Sequence, residues 1–350
     1  MTTANMGLVL SEEKAVQWQE VSSLSDLKPD HVRLRVEAVA LNHLDLFSRR
    51  GMAFSKRKLP IIAGVEGAGR ILRVGAEVEG FDKNDRVVVY PGDICGKCVE
   101  CISGRENLCS TGEGILGFHL DGVAAEEIDV PARLVRKVPD SLPSIYAACA
   151  PVTYATVVHM LCTNAKLQAG ETVLVHAAGS GIGSLAIKLA NHIGAGVFAT
   201  VGSDAKIPKA RQLGAHHVIN YSEKPFHTII RRITEGTGVD VVFEHVGQAT
   251  WRGSMLSLAK GGRLVTCGAT SGPRADLDLM HLFNRQIKIL ASFGGTIADM
   301  EQGLRFMSES EVLPHIDSVV RPQDIESQFA KLADRNVFGK IVIDFTGEQG

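Results

Sequence analysis

The segment Val173–Ala190, VLVHAAGSGIGSLAIKLA, decides the fold. It begins as an apolar, β-branched run, the mark of a strand buried on both faces. It continues with Ile182, Leu185, Ala186, Leu189, Ala190 and then Ile193 at helical spacing. The dinucleotide fingerprint G-x-G-x-x-G falls on Ala178, Ser180 and Gly183 in the turn between them. Small residues there let the backbone approach a pyrophosphate, and the helix start faces its charge. Ser180, Gly181, Ile182 and Gly183 are therefore candidate cofactor-binding residues. The alternative is a tight strand-to-helix turn with no nucleotide.

The pattern repeats downstream. VFATV, HVI, VDVVF and RLVTCG (263–268) are strand candidates, each preceded by a helix-length segment. Such alternation predicts a doubly wound parallel sheet. Upstream, HVRLRVEAVAL (31–41) alternates apolar and polar residues, and AGVEGAGRILRVG, DRVVVY and GVAAEEIDV look similar. The expectation is an α/β chain. A β-rich domain takes 1–145 and 288–350, and a Rossmann domain takes 146–287.

Composition narrows the function. The chain has 350 residues and a formal net charge of −2, which supplies no field for nucleic acid or an anionic membrane. No run of ~18 uninterrupted apolar residues occurs, and no basic-then-apolar leader opens the chain. A cytoplasmic protein is expected. Four of its seven cysteines, Cys95, Cys98, Cys101 and Cys109, form C-x2-C-x2-C-x7-C near 92–112. Four thiolates on a short loop enclose one tetrahedral Zn²⁺ with no open position, so one structural zinc per chain is expected. An iron–sulfur cluster or free thiols are the alternatives.

The strand end FATVGSDAK (198–206) bears on the cofactor. NAD binders place an acid ~20 residues after the turn; Val201 or Gly202 stands there. Asp204 reads as the cap of the next helix. Ser203 and Lys206 can serve a 2′-phosphate, which favours NADP(H) over NAD(H).

These features together resemble the medium-chain dehydrogenase/reductase superfamily, the zinc alcohol dehydrogenases and quinone reductases. ALNHLDLFSRRG (40–51), GVEGAG (64–69), the cysteine lobe, PVTYATVVHML (151–161), HAAGSGIG, ARQLGAHHVINY (210–221) and GGRLVTCGATSG (261–272) carry the likeness over nearly the whole chain. It implies a GroES-like catalytic domain beside the Rossmann domain. It implies that Tyr221 lies near the adenosine phosphate. Gly268, Ala269 and Thr270 would face the nicotinamide, with Ser292 and Phe293 near it, and Thr153 would lie close by. His43 is a candidate for the pyrophosphate.

The departures matter as much. Asn42 and Val65 stand where the zinc alcohol dehydrogenases keep two catalytic metal ligands, and Cys149 matches the third. Leu44 replaces the hydroxyl of the proton relay. Loss of the Lewis acid points to a reductase of an activated C=C bond or a quinone, with an enone, enal or enoyl thioester as substrate. Candidate catalytic residues are Asn42, Asp45, Glu66 and His119. Each has a plainer reading: a strand-end turn for Asn42, a structural ion pair with Arg49 or Arg50 for Asp45 and Glu66, and a surface loop for His119. A zinc alcohol dehydrogenase with an unusual site, or a cofactor-binding protein without turnover, are the alternatives. A homodimer through the Rossmann edge strands is expected, or a tetramer.

Overall fold

The computed structural model describes residues 4–51 and 56–347. The chain divides into two compact units, Met1–Ala155 with Thr296–Gly350, and Thr156–Gly295.

The strands of the first unit before the division are β1 (Met6–Leu10), β2 (Val16–Glu20), β3 (His31–Ala40), β4 (Ile61–Ile62), β5 (Gly67–Val74), β6 (Arg86–Val89), β7 (Glu127–Pro131) and β8 (Val135–Lys137). The second unit contains β9 (Thr172–Val175), β10 (Gly196–Val201), β11 (His217–Asn220), β12 (Val239–Glu244), β13 (Leu258–Thr266) and β14 (Lys288–Ala291). The chain then returns to the first unit for β15 (Ile316–Val320) and β16 (Lys340–Asp344).

In the first unit β3 is the hub. It pairs antiparallel with β5, β7 and β16 in the sheet β15-β16-β3-β5-β6-β8. Its alternating apolar residues Val32, Leu34 and Val36 are buried, as a half-buried strand requires. The Val342–Ala40 register brings the far C-terminal strand beside the end of β3. A separate sheet, β2-β1-β4, covers the N-terminal segment.

The second unit is a six-stranded parallel sheet in the order β11-β10-β9-β12-β13-β14. Counted within the unit this is 3-2-1-4-5-6, the doubly wound order whose reversal lies between β9 and β12. Its core packs Leu174, Phe198, Ile230, Val242, Leu258 and Leu264. The expected α/β class, with a GroES-like unit and a Rossmann-like unit, is what the chain forms.

The domain limits differ from the sequence expectation. The Lys288–Ala291 run forms β14, in register with Arg263–Thr266 of β13, so residues 288–291 belong to the nucleotide-type sheet and not to the β-rich unit. An apolar run of that length fits either sheet, and only the pairing partner decides. The return falls at Thr296, which caps the helix Ile297–Glu309 through a capping box with Asp299. Among the described residues one helix, Ser144–Asn164, has the length and hydropathy to cross a membrane, and most of it is buried inside the protein.

Candidate active site and metal lobe

The cysteine lobe follows from its turns. Gly96 and Gly104 adopt φ of +72° and +71°, the left-handed region that lets the loop fold back on itself. The four sulfurs lie within 4.8 Å of one another. The separations Cys98–Cys101, Cys95–Cys101 and Cys98–Cys109 are 3.5, 3.9 and 3.9 Å. A tetrahedron with Zn–S bonds of ~2.3 Å has edges of about 3.8 Å, so the lobe already has the size of a closed zinc site. The Cys95 N–H donates to Cys109 Sγ, and that bond pulls the Cys109 thiol down to about 5. Burial pushes Cys101 the other way, up to about 12. A divalent cation is what makes all four thiolates together. Among the described residues this is the one cluster of three or more metal-ligating side chains.

In the second unit the phosphate-type turn follows β9. Ser180 caps the helix Gly181–Ile193 by accepting from the Gly183 N–H at 2.9 Å. Gly183 has no room for a side chain: a Cβ there would lie 2.3 Å from Ala177 O. The fingerprint's third glycine thus serves the close approach of helix to turn. By helix geometry the Gly181 and Ile182 N–H groups have no partner within the helix and remain available to an anion. Ser203 precedes the short turn Asp204–Lys206 without a side-chain cap bond. Asp204 is not that cap: its carboxylate accepts from Asn220 Nδ2 at 2.9 Å, because β11 lies directly beside β10. The Tyr221 hydroxyl lies over Gly202, where a Cβ would sit 3.0 Å from it.

Gly268, Ala269 and Thr270 follow β13, and a Cβ on Gly268 would approach His245 O at 3.0 Å. Ser292 follows β14, with its N–H on Thr266 O and its hydroxyl buried without a partner. Phe293 is exposed. All these residues follow the C-terminal ends of parallel strands, so they lie on one side of the sheet; of these strands, β9 borders the topological switch with β12.

The first unit gathers Asn42, Asp45, Glu66 and Thr153 around a residue the sequence reading missed, Lys340. Gly64, at φ +90°, turns the chain before Glu66; a Cβ there would meet Ala124 Cβ at 2.9 Å. Pro151 interrupts the helix Ser144–Asn164, and the backbone there takes π-type bonds such as Tyr154 N–H to Cys149 O. The Val152 and Thr153 N–H groups donate instead to Glu66 Oε2 at 2.8 and 2.9 Å. Glu66 Oε1 accepts from Asn42 Nδ2, Thr153 Oγ1 and Lys340 Nζ at 2.8, 2.7 and 2.8 Å. Lys340 uses its other two donors on Leu41 O at 2.6 Å and Asn42 Oδ1 at 2.9 Å. Glu66 is inaccessible and Lys340 is 2% exposed, so the pair is a buried, fully bonded ion pair.

That geometry revises the expected partners. Glu66 pairs with Lys340, not with Arg49 or Arg50; Arg49 instead pairs with Glu326 at 2.9 Å. Thr153 turns its hydroxyl to Glu66. The Asn42 amide is committed on both sides, its nitrogen to Ala40 O and Glu66, its oxygen to Lys340. A lysine inside the apolar strand GKIVIDF was a visible signal, since Lys is almost never buried unless paired.

Asp45 is buried at the third position of the helix His43–Arg50, accepting the Asn42 N–H at 2.7 Å while its Oδ1 has no partner. Burial pushes its carboxyl from 3.8 up to about 7. Folding therefore keeps a proton that the unfolded chain releases across that window, and stability falls as pH rises through it. Asp45→Asn is expected to flatten the pH dependence of the melting temperature between about pH 4 and 7; an unchanged slope would show that Asp45 titrates as an ordinary carboxylate.

His43 lies edge-on to Phe47. His119 sits in the loop beside Phe118, and its Nδ1 accepts the Ile115 N–H at 3.1 Å, which leaves the ring proton on Nε2. Burial holds its pKa below the usual range.

A catalytic zinc does not fit this unit. Val65 offers no donor atom and is inaccessible. The Asn42 amide is saturated. The Cys149 thiol points to Ile145 O at 3.7 Å and burial pushes its pKa far up.

Comparison with known proteins agrees with both units. Residues 28–140 match the alcohol dehydrogenase GroES-like domain family, and residues 181–309 match the zinc-binding dehydrogenase family. The chain is 31% identical to an alcohol dehydrogenase of Geobacillus stearothermophilus over 95% of its own length and 96% of that protein's. It is 29% identical to acryloyl-coenzyme A reductase of Sulfurisphaera tokodaii, over 93% and 96%. The solved structure of an NAD-dependent alcohol dehydrogenase superposes with a TM-score of 0.90 at 35% identity, covering 97% of this chain and 99% of that one. The chain thus belongs to the medium-chain dehydrogenase/reductase superfamily, in its zinc-type alcohol dehydrogenase and quinone oxidoreductase-like family, and is an oxidoreductase.

Proposed function

We propose that this oxidoreductase is an NADPH-dependent reductase of an activated C=C bond or a quinone, working without a catalytic zinc. The observation that carries the reading is the saturated Asn42–Glu66–Lys340 cluster beside a donorless Val65. With no Lewis acid at Val65, little there stabilises a developing alkoxide, whereas conjugate reduction spreads charge into an enolate that hydrogen-bond donors can hold. The acryloyl-coenzyme A reductase similarity supports the same substrate class.

When bound, a reduced nicotinamide would supply a hydride for the β-carbon of the substrate. The strand-end residues Ser180, Gly181, Ile182, Gly183, Tyr221, Gly268, Ala269, Thr270, Ser292 and Phe293 bind and orient the dinucleotide. Ser203 and Lys206 take the 2′-phosphate. His43 and Thr153 are proposed cofactor neighbours; Asn42, Asp45 and Glu66 hold the shape of the reaction side. His119, neutral with its proton on Nε2, is the proposed donor to the enolate, and solvent replaces that proton.

Metal analysis alongside assays with NADPH and NADH tests the reading. About one zinc per chain in active enzyme is expected, from the stoichiometry of a single closed site; two would favour the zinc alcohol dehydrogenase reading. Lys206→Glu should weaken NADPH about tenfold while leaving NADH binding unchanged, the worth of one charge-assisted contact. Equal loss for both nucleotides would remove the NADP preference.

The assembly proposed is a homodimer through β14. That strand is an edge of its sheet, and the adjoining helix Leu279–Asn284 exposes Leu279, Met280 and Phe283. Phe283→Glu should yield monomers in sedimentation; an unchanged mass would place the contact elsewhere.

A further inference from the structure

Beneath the phosphate-type turn lies a buried polar chain that the proposed function does not use. His176, the first residue after β9, is inaccessible, as are Glu244 and Ser254; Thr200 is 1% exposed. His176 Nδ1 lies 3.0 Å from Thr200 Oγ1, and its Nε2 lies 2.8 Å from Ser254 Oγ. Ser254 Oγ lies 2.6 Å from Glu244 Oε2. Glu244 also accepts from the Val246 and Gly247 N–H groups and from Thr250 Oγ1.

The hydrogens can be placed from these distances. A carboxylate receiving four donors is ionised. Burial pushes the Glu244 carboxyl up and the hydrogen bonds from Ser254, Gly247 and Val246 pull it down, and it lies below its usual range. Ser254 therefore gives its hydrogen to Glu244. The serine oxygen then accepts from His176 Nε2–H. The bare Nδ1 accepts from Thr200 Oγ1–H, while the Thr200 oxygen takes the Ala177 N–H at 3.1 Å. Burial brings the His176 pKa down to about 4, so the ring stays neutral. Every donor points toward Glu244, and each hydrogen is used once.

The chain ends on backbone. His176 O accepts from His245 Nε2 at 2.9 Å, and His176 N–H reaches Phe243 O. The same carbonyl would lie 3.0 Å from a Cβ on Gly183. The strand ends of β9, β10 and β12 are thus held together under the turn by one buried anion.

We propose that Glu244, acting through Ser254 and His176, is a positioning system that holds the His176–Gly183 turn in its dinucleotide-binding shape. All three side chains are inaccessible, so none would meet the ligand directly. The inference rests on the reading of that turn as the nicotinamide dinucleotide site.

Fluorescence titration of full-length protein with NADPH and NADH tests it. Glu244→Gln presents an amide to four donors and should weaken the preferred nucleotide about tenfold, the effect of one buried group left unpaired. His176→Leu should do the same. His176→Gln, which can still donate to Ser254, should recover most of the affinity. A purely structural role would lower the melting temperature of both His176 variants without separating their nucleotide affinities. Folded Glu244→Gln and His176→Leu proteins with affinities within about twofold of the parent would overturn the proposal. Should Glu244→Gln fail to fold, Ser254→Ala must weaken binding, and unchanged binding would overturn it equally. If the parent binds neither nucleotide, the dinucleotide reading itself fails, and this proposal with it.

Discussion

Lys340→Met is expected to destabilise the protein by about 3–5 kcal/mol, the cost of leaving one member of a buried ion pair without its partner. Glu66 would be left without its cation at a position with no access to solvent. The ammonium also holds Leu41 O and Asn42 Oδ1, so the end of β3 and the start of the following helix lose an anchor together. Denaturant midpoints measure the loss. Glu66→Gln added to Lys340→Met should restore part of it, since a neutral amide costs less to bury than an unpaired carboxylate. A Lys340→Met protein within about 1 kcal/mol of the parent would mean that the pair is not the charged centre of this unit.

Cys109→Ser is expected to abolish zinc binding and to loosen the lobe. A closed four-thiolate site contributes folding free energy directly, of order several kcal/mol. Zinc content should fall from one per chain to none, and limited proteolysis should open the chain near 95–109. The exposed apolar residues Val99, Ile102 and Leu108 show that the lobe has little hydrophobic packing on those faces to replace the metal. Retained zinc in Cys109→Ser would show that three thiolates and a substitute ligand suffice.

Local pattern made some elements readable. The small residues at 178–183 were readable because a buried strand precedes them and an amphipathic helix follows. Cys95, Cys98, Cys101 and Cys109 are legible for the same reason, since their metal site closes within one short loop. The strands β9 to β13 were visible as apolar runs between helices. β14 was visible as a run, but its sheet was not, because pairing partner is a non-local property. The Asp204 reading failed on the same ground: its neighbour Asn220 comes from the adjacent strand.

The Asn42–Glu66 region of the first unit shows the limit most clearly. Asn42 and Val65 were legible as departures from a metal-binding pattern, because side-chain chemistry alone says that valine cannot ligate. What stands there instead was not legible. Lys340 lies 299 positions from Leu41, and only the β16–β3 register makes them neighbours.

The sequence by itself determined the fold class, the four-cysteine lobe and the loss of catalytic metal ligands. Each is written in residue type at short spacing. The tertiary structure decided that a buried lysine and glutamate organise the first unit, and that a second buried glutamate lies under the turn from His176 to Gly183. Buried charges survive only when distant strands bring every partner within hydrogen-bonding reach, and no local pattern records that closure.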